Sequence, residues 1–154
     1  MMKALTEELE ERLAIIVHKL KFVEQKPTVA CIVGLGPLLL ADTGLAELTG
    51  LAGATLVTGK VEELQLQNPG IIILMPQGNT VEQTMKDIDK VLQLPGFAEL
   101  SAVKSNRFYI ADGTLSPNAS PESLVDAVEL FAEIINPKQF IFGYEGNGWI
   151  KFSL

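Results

Sequence analysis

Thr28-Val29-Ala30-Cys31-Ile32-Val33, followed by Gly34-Leu35-Gly36-Pro37, is the stretch of sequence that decides the fold. The first part is an uninterrupted apolar and β-branched run, which is typical of a strand buried on both faces of a parallel sheet. The glycines and the proline that follow indicate a turn. A second run of the same kind, Ile71-Ile72-Ile73-Leu74-Met75, follows Asn68-Pro69-Gly70. Two such strands separated by helical patterns predict an α/β domain.

Helical patterns lie on both sides of these strands. Before Pro27, apolar residues recur at steps of three and four, and they are Leu5, Leu9, Leu13, Ile16, Leu20 and Val23. Helices are predicted over 42–52 and 61–67, with a short strand at 55–57, from the same periodicities. Further along, Asn79 is expected to cap a helix, 107–112 to form a strand, and Ser120 with Pro121 to begin a helix that ends at Asn136.

Alternation of strands and helices predicts a three-layer, Rossmann-like α/β lobe around a mostly parallel sheet. A long N-terminal helix precedes it, and a short β-hairpin tail with the turn Gly146-Asn147-Gly148 ends it. The predicted divisions of the chain are residues 1–26 for the helix, 27–139 for the lobe and 140–154 for the tail.

Composition excludes several classes of function. The chain has 154 residues, 12 basic against 19 acidic side chains, a net charge of −7 and 47% hydrophobic residues. The apolar content supports a folded core, and the acidic balance is unfavourable for binding nucleic acid or an anionic membrane surface. Apolar runs are too short for membrane insertion. Glutamates in residues 7–11 stand where a secretory peptide needs an apolar region, so we expect no export signal and a cytoplasmic protein.

The chemistry-bearing residue types are sparse. His18 and Cys31 are the one histidine and the one cysteine, and together they cannot complete a structural zinc site. His18 is expected to be a surface or packing residue, and Cys31 a small apolar residue within a strand. We therefore predict no catalytic residues and no metal ligands.

Ligands of open parallel sheets bind at the carboxyl ends of the strands, which selects the loops 34–39, 76–80 and 112–120. Gly34-Leu35-Gly36 after a strand matches the start of the dinucleotide-binding motif G-x-G-x-x-G. The third glycine position of that motif is occupied by Leu39, so a tight turn is the favoured interpretation. Asp112 could act in catalysis or shape a turn, and turn chemistry is favoured.

Several segments together resemble one known family, the substrate-binding proteins that serve uptake of cobalamin, haem and ferric siderophores. The resemblance is to their C-terminal lobe and most of all to the cobalamin-binding branch. It is carried by the segments Val61-Glu62-Glu63-Leu64, Asn68-Pro69-Gly70-Ile71-Ile72-Ile73-Leu74, Leu94-Pro95-Gly96-Phe97-Ala98-Glu99-Leu100-Ser101-Ala102-Val103-Lys104, Arg107-Phe108-Tyr109-Ile110-Ala111-Asp112-Gly113, Leu124-Val125-Asp126-Ala127 and Ala132-Glu133-Ile134-Ile135-Asn136-Pro137.

The resemblance implies a non-enzymatic lobe that binds a small molecule, with a corrinoid or another metal chelate as the ligand and no covalently bound cofactor. In that family the first helix links two lobes that clamp the ligand, so the resemblance implies a homodimer or a separate partner lobe. The stripe Leu9, Leu13, Ile16, Leu20 and Val23 is expected either to form that contact or to pack on the chain's own sheet.

The predicted ligand-binding residues come from the three strand-end loops. They are Leu35, Pro37, Leu38, Gln77, Gly78, Asn79, Thr80, Leu115, Ser116 and Asn118. Tyr144 and Trp149 are interpreted as residues of a core-covering tail, with a stacking wall for the ligand as the weaker alternative. Two other functions stay open: a structural or protein-interaction module that kept the fold and lost its ligand, and an enzyme that uses the Asp112 loop.

Overall fold

The structure is a computed structural model that describes residues 5–24 and 26–153. Its α-helices are α1 (Glu7–Leu20), α2 (Ala46–Leu51), α3 (Leu64–Gln67), α4 (Val81–Lys86), α5 (Asp89–Leu92), α6 (Ser101–Lys104) and α7 (Pro121–Ile135). Its strands are β1 (Thr28–Leu35), β2 (Leu38–Leu40), β3 (Thr55–Val57), β4 (Ile71–Leu74), β5 (Phe108–Ala111) and β6 (Trp149–Lys151). Short 3-10 turns at Thr43–Leu45, Val61–Glu63 and Phe97–Glu99 precede helices.

The strands form one mostly parallel sheet in the order β2-β1-β4-β5-β6, with β3 also beside β1. β1 is parallel to β3 and β4, and β4 is parallel to β5. β2 and β6 are antiparallel to their neighbours at the two edges. The predicted α/β lobe with a mostly parallel sheet is therefore confirmed.

Two apolar layers cover the sheet, because successive strand residues point to opposite faces. Val29, Cys31 and Ile73 face the layer that contains α1, α2 and α7. Ala30, Ile32 and Leu74 face the layer of shorter helices from α3 to α6. All six side chains are fully buried. The central strands are therefore buried on both faces, as their uninterrupted apolar runs predicted.

The chain turn after β1 lies later than the sequence suggested. β1 continues through Gly34 and Leu35, and the chain reverses at Gly36-Pro37 into β2. Gly34 pairs with Leu39 across this hairpin, and a Cβ at Gly34 would lie 3.3 Å from the Pro37 carbonyl oxygen. The glycine therefore serves the close approach of two strands.

The cap of α4 also differs by one residue from the prediction. Thr80, rather than Asn79, is the N-cap: its hydroxyl accepts from the Gln83 N–H, and the Gln83 side chain accepts from the Thr80 N–H. The reciprocal bonds of this capping box therefore join Thr80 and Gln83.

The stripe on α1 packs against the chain's own core. Leu9, Leu13 and Ile16 are at most 9% exposed and belong to the same cluster as α7. These three residues are consequently not an exposed contact surface, which agrees with the second of the two expectations for the stripe.

Candidate functional site

A cavity lies at the carboxyl ends of β1, β4 and β5. Its volume is about 570 Å³, which falls within the roughly 300–1,000 Å³ of small-molecule sites. Val33, Met75 and Gly113 mark the three strand ends. The connection from β2 to α2 forms one wall, and the loop from Gly113 to Asn118 forms another.

The cavity floor is apolar. Cys31, Val33 and Met75 lie on the sheet face that packs against α7, and Leu48 and Leu124 come from the adjoining helices. Burial raises the pKa of the Cys31 thiol to about 12, so the thiol stays protonated and lacks nucleophilic character near neutral pH. Cys31 therefore lies beneath the floor as a buried apolar side chain.

Two of the cavity loops are tied together through their backbones. The Gly78 N–H donates to the Gly113 carbonyl at 2.8 Å, and the Gly113 N–H donates to the Asn79 carbonyl at 2.8 Å. A Cβ at Gly113 would lie 1.7 Å from the Pro76 carbonyl oxygen. Only glycine allows this approach, so Gly113 fixes the distance between the two loops.

Asp112 is committed to turn geometry. One of its carboxylate oxygens, Oδ1, accepts from the Thr114 backbone N–H at 2.9 Å and from the Thr114 hydroxyl at 2.6 Å. The favoured interpretation of Asp112 as a turn residue has this support.

Half of the predicted binding residues line the cavity. The lining members are Gln77, Gly78, Leu115, Ser116 and Asn118. Leu35 and Leu38 pack against the opposite sheet face, because β1 continues past the predicted turn and strand alternation directs them away. Pro37, Asn79 and Thr80 also lie outside the lining; Thr80 caps α4, and the Asn79 carbonyl holds Gly113.

The predicted binding residues did not include the wall formed by the end of β2 and its connection to α2. The residues of this wall are Leu39, Leu40, Ala41, Asp42, Gly44 and Leu45. The signal that could have found the floor is the strand period of two, which puts Cys31 and Val33 on one face.

The other candidate residues lie away from this cavity. His18 is exposed and makes an edge contact with Phe22, with ring centroids 5.6 Å apart. The Tyr144 hydroxyl donates to Glu129 at 3.0 Å, and the Trp149 Nε1–H donates to Glu133 at 2.9 Å. These bonds support the interpretation of a core-covering tail. Burial, with the Glu129 contact second, raises the pKa of Tyr144 above its usual value.

The described residues contain no group of three or more His, Cys, Asp or Glu side chains arranged to hold a metal ion. Within the same part of the chain, no helix combines the length and the apolar character that a membrane crossing requires.

The fold is similar to that of solved substrate-binding proteins. IsdE of S. aureus, solved with haem, gives a TM-score of 0.70 at 22% identity over 86% of this chain and 56% of IsdE. FepB of Veillonella parvula, a TroA-like periplasmic binding protein, gives 0.67 at 19% identity over 86% of this chain and 46% of FepB. A periplasmic haem-binding protein of Pseudomonas aeruginosa gives 0.63 at 22% identity over 86% and 50%.

The chain spans about half the length of these structures. No protein-family model matches the chain, and no curated protein matches it. At this level of identity the comparisons establish the fold of a binding-protein lobe; they do not single out the cobalamin-binding branch.

The comparisons contradict the cytoplasmic location that the sequence predicted. FepB and the Pseudomonas aeruginosa protein are periplasmic by name, and this conflicts with a cytoplasmic protein. The prediction was wrong because it rested on the charges of residues 7–11 and on the short apolar runs, and neither feature reports the compartment in which a fold serves.

Proposed function

We propose that this chain is a non-enzymatic lobe that binds a bulky, metal-bearing small molecule, a corrinoid or another metal chelate. The observation that carries the proposal is the 570 Å³ cavity at the strand ends of a binding-protein fold. An apolar floor with a few neutral hydrogen-bonding groups above it is suited to the edge of a macrocycle. The names of IsdE and the Pseudomonas aeruginosa protein, both associated with haem, support the metal-chelate class.

The proposal includes a partner that closes the cavity. Leu39, Asp42 and Gln77 line the cavity and are exposed, so one face of a bound molecule would meet solvent. A second lobe or a second copy of the chain would cover that face and raise the affinity. The same role suits uptake through an ABC transporter, because one structural neighbour, from Listeria monocytogenes, is named as the substrate-binding protein of such a transporter.

The absence of an enzymatic role is part of the proposal. Asp112 is held by Thr114, and the Cys31 thiol is protonated and buried. Within the described residues, neither group has the paired base or acid that nucleophilic or general acid–base catalysis needs.

Titration of cyanocobalamin, dicyanocobinamide and haem, followed by absorbance, tests the proposal. We expect saturable binding of at least one of the three. Leu39→Asp introduces a carboxylate at the cavity wall, where Leu39 is 53% exposed, and should weaken binding by about tenfold or more. The matched control is Leu66→Asp, because Leu66 is 88% exposed and lies outside the cavity, and its affinity should equal that of the wild type.

Two results would count against the proposal. Binding that Leu39→Asp and Leu66→Asp weaken equally would put the site elsewhere on the molecule. No saturable binding of any of the three compounds would favour the alternative, a structural or protein-interaction module that kept the fold and lost its ligand.

A further inference from the structure

The cavity has an unbalanced distribution of charge. Among its lining residues, Asp42 is the one side chain that is charged at neutral pH, because the Cys31 thiol is protonated. The lining contains no Lys, Arg or His in the part of the chain that the structure describes. Both arginines are engaged elsewhere: Arg12 pairs with Asp126 and Glu129, and Arg107 donates to the carbonyls that end α7.

The polar groups of the cavity are neutral. Gln77, Thr114, Ser116 and Asn118 offer amide and hydroxyl groups. The Thr114 hydroxyl already donates to Asp112, so it faces a ligand as an acceptor. These groups can bond to amides, hydroxyls and esters, but none supplies the full positive charge that a desolvated carboxylate needs.

The amino end of α7 is a source of positive potential near the cavity. Asn118 lies close in sequence to the amino end of α7, which a helix dipole makes partly positive. Pro121 has no N–H there, and the Ser123 N–H donates to the Ser120 hydroxyl at 3.0 Å. Glu122 adds a negative charge in the same turn. Capping and charge therefore offset this potential.

The negative charge of Asp42 weakly favours a cationic ligand over an anionic one. Its Oδ1 accepts from the Gly44 N–H at 2.9 Å, and Oδ2 has no hydrogen-bond partner among the described residues. Because Asp42 is exposed, water screens its charge, and the lack of a cation is the larger effect.

From these contacts we infer that the cavity takes an electroneutral or cationic chelate and discriminates against one that carries several carboxylates. This inference rests on the proposed function and narrows its ligand class. A ligand with peripheral amides keeps its hydrogen bonds to the cavity wall, whereas a polycarboxylate loses water without gaining a counter-charge.

Two corrinoids with the same ring provide the test. Dicyanocobinamide carries amides at the ring periphery, and dicyanocobyrinic acid carries carboxylates at the same positions. We expect the wild-type chain to bind dicyanocobinamide at least about tenfold more tightly than the acid, since unpaired carboxylates are costly to desolvate. Haem and haem dimethyl ester give the same comparison on a second macrocycle, with the ester bound more tightly.

Two lysine variants add the missing cation inside and outside the cavity. Gln77→Lys should strengthen binding of dicyanocobyrinic acid by about tenfold, because an ammonium in the cavity wall pairs with a carboxylate. Gln93→Lys changes the net charge equally at an exposed position outside the lining and should leave both affinities unchanged. Asp42→Asn should improve binding of the acid by about twofold to fivefold, as expected for an exposed charge.

The outcomes separate the inference from the proposed function. Saturable binding with equal or greater affinity for dicyanocobyrinic acid would overturn the inference and leave the binding lobe intact. Equal gains from Gln77→Lys and Gln93→Lys would also overturn it, because the effect would then follow net charge. No binding by any of the four compounds would overturn both.

Discussion

A single methyl group at Gly113 is enough to disturb the candidate site. In Gly113→Ala the new Cβ would meet the Pro76 carbonyl oxygen at 1.7 Å and the Asn79 carbonyl oxygen at 3.0 Å. Both contacts are backbone, so no side-chain rotation relieves them and the loops must separate. We expect a loss of roughly 1–3 kcal/mol in the free energy of unfolding, measured by urea denaturation, together with weaker ligand binding.

Gly50→Ala is the matched control for Gly113→Ala. Gly50 lies within α2, and a Cβ there would meet no atom within 4 Å. Alanine in a helix should stabilise the chain by roughly 0.5–1 kcal/mol. Equal effects of the two substitutions would contradict the role of Gly113 in holding the loops together.

Cys31 should give the folded chain a specific loss of stability at alkaline pH. Burial raises the pKa of its thiol from 9.0 to about 12, so above pH 9 the unfolded chain loses this proton while the folded chain retains it. The contribution is fully present below pH 9 and is lost as pH rises toward 12, at about 1.4 kcal/mol per pH unit.

Denaturation of the wild type and of Cys31→Ala between pH 8 and 11 isolates this contribution. Cys31→Ala also leaves a small cavity in the core, which lowers stability equally at all pH values. The informative quantity is therefore the slope of the free energy of unfolding against pH. The free energy of unfolding should fall less steeply with pH in Cys31→Ala, by about 1.4 kcal/mol per pH unit, which corresponds to one proton. Parallel curves for the two proteins would mean that the thiol titrates normally in the folded chain.

At the scale of elements, Arg12 joins α1 to α7. Its guanidinium donates to Asp126 at 2.6 Å and to both carboxylate oxygens of Glu129, at 2.7 and 3.1 Å. These contacts, with the Glu129 hydrogen bond foremost, raise the pKa of Arg12 above its usual value. Arg12→Ala should cost roughly 1.5–3 kcal/mol, as expected for hydrogen bonds to a charged group whose partner is almost buried.

The control for Arg12→Ala is a substitution in an ion pair that lies on the surface. Lys104 lies 3.2 Å from Glu99, and both side chains are more than half exposed. Lys104→Ala should change the free energy of unfolding by at most about 0.5 kcal/mol. A double-mutant cycle of Arg12→Ala with Glu129→Gln should give a coupling energy above about 1 kcal/mol; no coupling would refute the role of this pair in attaching α1.

Glu133 of α7 holds the C-terminal tail in place. Its carboxylate accepts from the backbone N–H groups of Phe142, Gly143 and Glu145 and from the Trp149 indole. Glu133→Ala leaves the indole, on a residue 3% exposed, without a partner, so we expect a cost of roughly 2–4 kcal/mol.

Hydrogen exchange locates the effect of Glu133→Ala. The amides of Phe142, Gly143 and Glu145 should lose protection before those of β4 do, because they are bonded to this carboxylate. Glu145→Ala, an exposed acid on the same tail, should leave the exchange pattern unchanged. Loss of protection spread evenly over the sheet would show that Glu133 supports the whole fold rather than the tail.

The elements themselves were the most predictable part of the chain. β1 and β4 are recognisable because a strand buried on both faces must be apolar throughout, and Ser120 with Pro121 marks the start of α7 through its cap. The tail was less predictable: β6 pairs with β5 at the sheet edge, a long-range contact that the local turn at Gly146 does not encode.

The sequence predicted which edge of the sheet carries the candidate site, but it predicted only some of the residues that line it. Strand ends determined which edge of the sheet to inspect, and five of the ten predicted residues line the cavity there. Asn79 and Thr80 lie outside the lining because Thr80 caps α4 and the Asn79 carbonyl holds Gly113. Leu35, Pro37 and Leu38 lie outside it because β1 continues beyond the glycine that was taken to end it. That extension directs Leu35 and Leu38 to the other face and brings Leu39 and Asp42 to the cavity instead.

At the scale of the whole molecule, the topology after β1 determines which cofactors the domain can bind. Dinucleotide sites need the first strand to lead through a glycine loop directly into a helix whose amino end binds the phosphates. Here β1 leads into the antiparallel strand β2, and Gly34 approaches Pro37 across that hairpin. The glycines therefore serve a strand reversal, and no helix begins at the position where a phosphate would bind.

Thermal unfolding with NAD, ATP and dicyanocobinamide tests this consequence on the intact chain. Neither nucleotide should raise the unfolding temperature by more than about 1 °C, because neither finds a phosphate site. Dicyanocobinamide at ten times its dissociation constant should contribute about 1.4 kcal/mol, or roughly 3–6 °C for a chain of this length. Leu39→Asp should suppress that shift while Leu66→Asp retains it. A nucleotide shift as large as the corrinoid shift would instead mean that the loop after β1 can rearrange into a phosphate-binding form, and the assignment of the ligand class from the topology would fail.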